Sequence, residues 1–172
     1  MLLIHDIDEF PKPQNGCVVT IGKFDGVHLG HQLIFDQLKS QAAESDLASL
    51  VIVIEPHPEE FFTKHSDKKL LRLNTIREKL QLLESVGVDF VYQFNFDKKT
   101  SEITAESYIK DFLVDGLGIR AIIIGDDFRF GKDRLGDYFL LEEFGKKYNY
   151  QVYKTATYEQ NGHRISSTYV RE

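Results

Sequence analysis

An α/β fold with a mostly parallel five-stranded sheet, covered by helices on both faces, is predicted for this chain by three observations. Five short runs rich in β-branched and aromatic residues recur along its 172 residues, and they are mostly apolar without strict alternation. Helical patterns separate them. Loops marked by glycine, proline and polar residues fall where the runs end, which is where an open parallel sheet binds its ligands.

The runs are "CVVTIG" from Cys17, "LASLVIVI" from Leu47, "DFVYQFNF" from Asp89, "GIRAIIIG" from Gly118 and "YQVYKTA" from Tyr150. After the first, Phe35, Leu38 and Ala42 recur at helical spacing. In "TIREKLQLLESVG", Thr75 and Glu78 have capping-box spacing, Ile76, Leu80 and Leu83 form a stripe, and Gly87 is a natural stop. "TAESYIKDFLVDG" sets Tyr108 over Phe112 and Ile109 over Leu113 ahead of Gly116, and "DYFLLEEFGKKY" aligns Leu141, Phe144 and Tyr148. Strand and helix in alternation imply right-handed crossovers and a sheet buried on both faces. There is no internal repeat, low-complexity tract or linker, so one domain is expected.

Composition narrows the function classes. With 42% hydrophobic residues the chain can bury an ordinary core, and its formal charge of -6 carries basic pairs scattered among acids, which disfavours nucleic acid as a partner. No apolar run approaches the roughly 20 residues needed to cross a bilayer, so no membrane is expected. Cys17 is the single cysteine and no leader-like segment follows Met1, so a cytoplasmic protein is expected.

The densest chemistry lies in "TIGKFDGVHLGHQ", where a strand gives way to a helix. Gly22 and Gly26 let the backbone turn tightly and approach a ligand, and the N–H groups of the following helix favour an anion. The glycine spacing is neither GxGxxG nor a P-loop. In their place stand His28 and His31, three residues apart at the helix start, with Gly30 between them leaving room for a large group. The pair suits the oxygens of one phosphate. A surface pair remains an alternative, as does a zinc site completed by His57 in "EPHPEEFF". "GDDFRFGKDRLGD" sets two aromatics in a polar loop after the fourth strand, and "RISSTYVRE" reads as a helix start with Arg171 one turn inside.

In this order and spacing, "GKFDGVHLGH", "EPHPEEFF", "GDDFRFGKDRLGD" and "ISSTYVR" resemble the FMN adenylyltransferase (FAD synthetase) module of the bacterial bifunctional riboflavin kinase/FMN adenylyltransferase family, over nearly the whole chain. The HxGH element is shared with the wider nucleotidyltransferase superfamily, whereas the PHP and GxDFxFG stretches narrow the resemblance to flavin. Lys23 departs from a frequent Asn, and no aromatic stands two residues before Pro56. The resemblance implies a Rossmann-like nucleotidyltransferase spanning 1–172, ending inside the helix begun by "ISST", with the riboflavin kinase domain absent from this sequence. It implies transfer of AMP from ATP to FMN, giving FAD and pyrophosphate, with Mg²⁺ bridging phosphate oxygens. His28, His31, Ser167, Thr168 and Arg171 are then the catalytic candidates, while Gly22, Lys23, Phe24, Asp25, Gly26, Gly30 and Ser166 would bind ATP. His57, Pro58, Asp127, Phe128 and Phe130 would border FMN, with Asp127 also the candidate for the metal. The alternative is an adenylyl- or cytidylyltransferase of the same superfamily acting on another phosphorylated acceptor.

Overall fold

The computed structural model describes residues 1–25, 29–56, 58, 75–125, 127–155, 159–160 and 163–164, without the side chains of Leu29 and the last four. Its main sheet contains β1 (Leu2–Ile4), β2 (Cys17–Gly22), β3 (Ala48–Glu55), β4 (Phe90–Asn95), β5 (Ile119–Ile124) and β6 (Gln151–Lys154). They run in the order β1-β4-β3-β2-β5-β6, and every pairing is parallel. A separate antiparallel ribbon joins β7 (Glu159–Gln160) to β8 (His163–Arg164).

The sheet has six strands where the apolar runs predict five. The addition is β1, which pairs with β4 at one edge; it is three residues long and buries only Ile4 fully, so it presents no run to recognise. The other five strands fall within a few residues of their predicted places.

Both faces are apolar, which is why the strand sequences do not alternate. Cys17, Val19, Ile21, Leu50, Ile52, Ile122 and Ile124 join a core on one side. Val18, Val51, Val53, Val91, Ala121 and Ile123 face the other. Each fully buried aliphatic side chain contributes roughly 1.5–3 kcal/mol. The second face is covered by α1 (Leu29–Ser45), through Phe35, Leu38 and Ala42, and by α2 (Ile76–Val86), through Leu83. Predicted signals set the ends of α2. Thr75 Oγ accepts from the Glu78 N–H at 3.2 Å, the Glu78 carboxylate accepts from the Thr75 N–H at 2.7 Å, and Gly87 takes φ 87.

On the first face, a single turn α3 (Lys98–Ser101) precedes α4 (Ala105–Ser107), which runs directly into a π-helix at Tyr108–Leu117. The pattern predicts an α-helix here. The wider π turn still lets Tyr108 and Phe112 meet, with ring centroids 5.2 Å apart, and it buries Tyr108, Ile109, Leu113 and Leu117. Leu141 of α5 (Tyr138–Tyr148) completes this layer.

The loop between β5 and α5 is closed on itself. Phe130 N–H donates to the Gly136 carbonyl at 3.2 Å and Gly136 N–H donates back at 2.8 Å. Gly136 provides the seat for the Phe130 ring, since a Cβ there would lie 2.6 Å from it. Gly131 has φ +77, and a Cβ on it would stand 2.7 Å from the Ala105 backbone. At the loop's end, Asp137 caps α5 by accepting from the Leu140 N–H at 2.9 Å, and Arg129 reaches its other carboxylate oxygen at 3.3 Å.

Two outcomes are expected. Gly131→Ala should cost on the order of 2 kcal/mol, because both the clash and the left-handed φ oppose it. Gly125→Ala, whose Cβ would meet Asp127 at an ordinary 3.8 Å, should stay within ~0.5 kcal/mol of the parent. Equal urea midpoints for the two variants would contradict this packing. Cys17 lies beneath the sheet face, its thiol donating to the Leu117 carbonyl at 3.6 Å, and burial raises its pKa from 9.0 to about 12. Its contribution to stability is therefore complete below the unfolded value of 9.0 and declines as pH rises toward about 12. The native chain should resist iodoacetamide at pH values near 8 and react only when unfolded; rapid native labelling would show that the thiol is accessible.

Candidate active site

All strands of the main sheet point the same way, so the carboxyl ends of β2, β3, β5 and β6 share one edge. From β2 the chain moves outward to β3 and β4, then returns to lay β5 and β6 on the opposite side. The crossovers leaving β2 and β5 therefore diverge, opening a crevice between their ends. Thr20 pairs with Ile123, so two residues further along the strands stand Gly22 and Gly125. The motif loops begin there.

At the end of β2, the residue that turns the chain is Phe24 rather than a glycine, with φ 50. Its ring is 4% exposed and packs 5.0 Å from Phe35 of α1. Gly22 makes room for it: a Cβ at that position would come within 3.0 Å of the ring. The same ring meets His31 edge-on, with centroids 5.1 Å apart and planes at 81°. Phe24 thus braces the turn and holds the imidazole, and what the turn offers a ligand at Phe24 is main chain. Asp25, the next residue, is 2% exposed. Gly30 and His31 lie in the first turn of α1, where the main-chain N–H groups of a helix start and the helix dipole favour an anion.

Across the crevice, Gly125 and Asp127 follow β5, with Asp127 exposed. Phe128 stacks on Phe130 at 5.5 Å and 18°, and Phe130 rests on Tyr108 at 5.7 Å. Phe130 is 8% exposed, so Phe128, half-buried, is the outer member of this stack. Burial pushes the Tyr108 phenol well above its ordinary value, and it remains neutral. Pro58 is half-buried beyond β3. Gly26, His28, His57, Ser166, Ser167, Thr168 and Arg171 lie outside the described residues.

A residue the motifs do not reveal also reaches this edge. Lys79 of α2 is 0% exposed, and its ammonium donates to the Lys23 carbonyl at 2.6 Å. Its signal in the sequence is position: it falls on the stripe of Ile76, Leu80 and Leu83, where a charge needs a partner.

Among the described residues, no three His, Cys, Asp or Glu side chains gather to hold a metal ion. Asp127 offers one exposed carboxylate. That donor set fits Mg²⁺ held chiefly by phosphate oxygens and water, the usual arrangement for a nucleotide-bound ion.

The FAD synthetase family matches residues 10–169. The bifunctional riboflavin kinase/FMN adenylyltransferase of Escherichia coli (strain K12) is 42% identical over 169 residues, covering 98% of this chain and 53% of the relative. The proteins of that name from Buchnera aphidicola subsp. Schizaphis graminum and Haemophilus influenzae are 38% and 37% identical over 173 residues, covering 100% of this chain and 55% of each relative. The chain spans about half the length of these curated relatives. A crystal structure described as a macrolide-efflux protein from Streptococcus pneumoniae shares the fold, with TM-score 0.81 and 22% identity over 99% of this chain and 54% of that one. The family match takes in the turn after β2 and the loop after β5, the two borders of the crevice; the chain belongs to the FAD synthetase family.

Proposed function

We propose that this chain is an FMN adenylyltransferase, transferring AMP from ATP to FMN with release of pyrophosphate. The observation that carries the proposal is the crevice between β2 and β5, bordered by a helix-start turn suited to an anion on one side and an aromatic-backed loop on the other. The names of the curated relatives support it. Of the two activities in those names, adenylyl transfer is the one assigned to residues 1–172. Among the described residues no helix is long and apolar enough to cross a membrane; the single cysteine of the sequence supports the cytoplasm as the compartment we propose.

The phosphate of FMN, with a second pKa of about 6, is largely dianionic near neutral pH and needs no general base. One of its oxygens attacks the α-phosphorus of ATP, forming the new P–O–P bond, and the bond to the bridging oxygen breaks as pyrophosphate leaves with the electron pair. The chain must hold two phosphates that repel each other and stabilise charge on the α-phosphate and the leaving group. His28 and His31, with the N-terminus of α1, take the α- and β-phosphate oxygens. Gly22, Lys23, Phe24, Asp25, Gly26 and Gly30 shape the turn around them. Ser166, Ser167 and Thr168 donate to the triphosphate, and Arg171 neutralises the departing pyrophosphate. Asp127 would help to hold Mg²⁺, which when bound would supply positive charge to offset the negative charge of the phosphates. Phe128 offers its ring to the isoalloxazine with Phe130 as backing, and His57 and Pro58 border the same ligand.

Incubation of the chain with ATP, Mg²⁺ and FMN should yield FAD by chromatography, and riboflavin in place of FMN should yield none. A folded chain that makes no FAD from FMN would overturn the proposal. His31→Ala should lower turnover by about 10²- to 10³-fold, the usual loss for one charge-stabilising donor, with the circular dichroism spectrum unchanged. Parental kcat and KM in that variant would remove His31 from the site.

A further inference from the structure

Lys79 has no part in the chemistry above, yet its ammonium lies at the base of the crevice edge. It projects from α2 with 0% exposure. Its Nζ donates to the Lys23 carbonyl at 2.6 Å and lies 3.9 Å from the carboxylate of Glu55, which is 13% exposed. Lys23 is the first residue beyond β2, and Glu55 is the last of β3, immediately before Pro56. The Lys79 ammonium therefore contacts both adjacent strand ends that lead into the "GKFDG" and "PHP" stretches. Burying an ammonium is costly unless its hydrogen bonds and charge are met, and a more conservative packing residue would have filled the same helical stripe.

The peptide plane gives this tie a consequence for ligand binding. In a trans peptide the C=O and N–H of one unit point in opposite directions. A Lys23 carbonyl drawn toward α2 therefore aims the N–H of Phe24 away from α2. Phe24 φ 50 then carries the chain on to Asp25 with the ring tucked against Phe35 and His31.

We infer that Lys79 is a positioning residue for adenylyl transfer, fixing the Lys23–Phe24 peptide so that the turn meets the triphosphate preorganised, with Glu55 as counter-charge. This rests on the adenylyltransferase reading. The ammonium acts through the main chain and touches no substrate.

Lys79→Met, Lys79→Arg and the double variant Lys79→Met/Glu55→Gln test it, with amide hydrogen exchange, thermal melts and steady-state kinetics compared across all of them. Lys79→Met should lower kcat/KM for ATP by about 10²-fold, as expected for a small misplacement of a binding group, with a much smaller change in KM for FMN. Lys79→Arg should recover most of that loss. The double variant removes both charges of the Lys79–Glu55 pair and should melt closer to the parent than Lys79→Met does, and yet stay impaired with ATP. In Lys79→Met and in the double variant, which lack any cation at this position, the amides of Phe24 and Asp25 should exchange faster than in the parent. The inference is overturned if the double variant regains parental kcat/KM, for then Lys79 only neutralises Glu55, or if the exchange of those amides is unchanged. A parent chain that forms no FAD would count against the adenylyltransferase reading, and the exchange measurement would still decide whether Lys79 fixes the turn. Should Lys79→Met fail to fold, the double and Lys79→Arg variants decide.

Discussion

The position of β2 is the constraint on which the rest depends. It has parallel neighbours on both sides, β3 and β5, and apolar residues on both faces. A strand in that position cannot be joined to a parallel neighbour by a tight hairpin; α1 carries the chain across a face of the sheet from β2 to β3, as α5 does from β5 to β6. Because those connections leave in opposite directions, the ends of β2 and β5 are left without a crossing chain between them. The crevice is a product of connectivity, and the residues with distinctive chemistry are those that line it.

What lines it is suited to charge rather than to proton transfer. A helix N-terminus, an imidazole fixed edge-on by Phe24 and a main-chain turn present donors that are already in place before a ligand arrives. Preorganised donors cost no reorganisation at the moment of reaction, which is the form of catalysis open to an enzyme whose nucleophile is already ionised. The opposite wall is apolar and layered. Phe94, Tyr108, Phe130 and Phe128 follow one another in ring contact from the sheet outward, and the loop that carries the last two is pinned by the Phe130–Gly136 bridge and by Gly131 against Ala105. A flat ring meeting Phe128 would meet a wall continuous with the core.

Much of this was legible in the residues because the signals were local. Thr75, Glu78 and Gly87 mark the ends of α2 through bonds made within one turn, and Phe35, Leu38 and Ala42 mark the buried face of α1 by spacing alone. Elements defined by distant partners left weaker traces. β1 is held by pairing with β4, across most of a hundred residues of chain, and shows only Ile4 as a buried apolar residue. The π-helix at Tyr108–Leu117 satisfies the same apolar spacing as an α-helix, so its sequence does not separate the two. The motif places Phe24 among the ATP-binding candidates but does not show that its ring packs in the core, a role visible only once Phe35 and His31 close over it. Lys79 was hidden for a related reason: it meets Glu55 on β3 and Lys23 in the turn after β2, and helical periodicity assigns such a residue only a face.

On the proposed function, ATP and FMN meet in the crevice between β2 and β5. Titrating an isotopically labelled chain with ATP and Mg²⁺, then with FMN, while following backbone amide shifts, tests it most directly. ATP should move the amides of Lys23, Phe24, Asp25, Gly30 and His31, and FMN should add shifts at Asp127 and Phe128. Shifts confined to the groove between α1 and α2, lined by Gln32, Asp36, Leu82 and Ser85, would place the ligands elsewhere and contradict it.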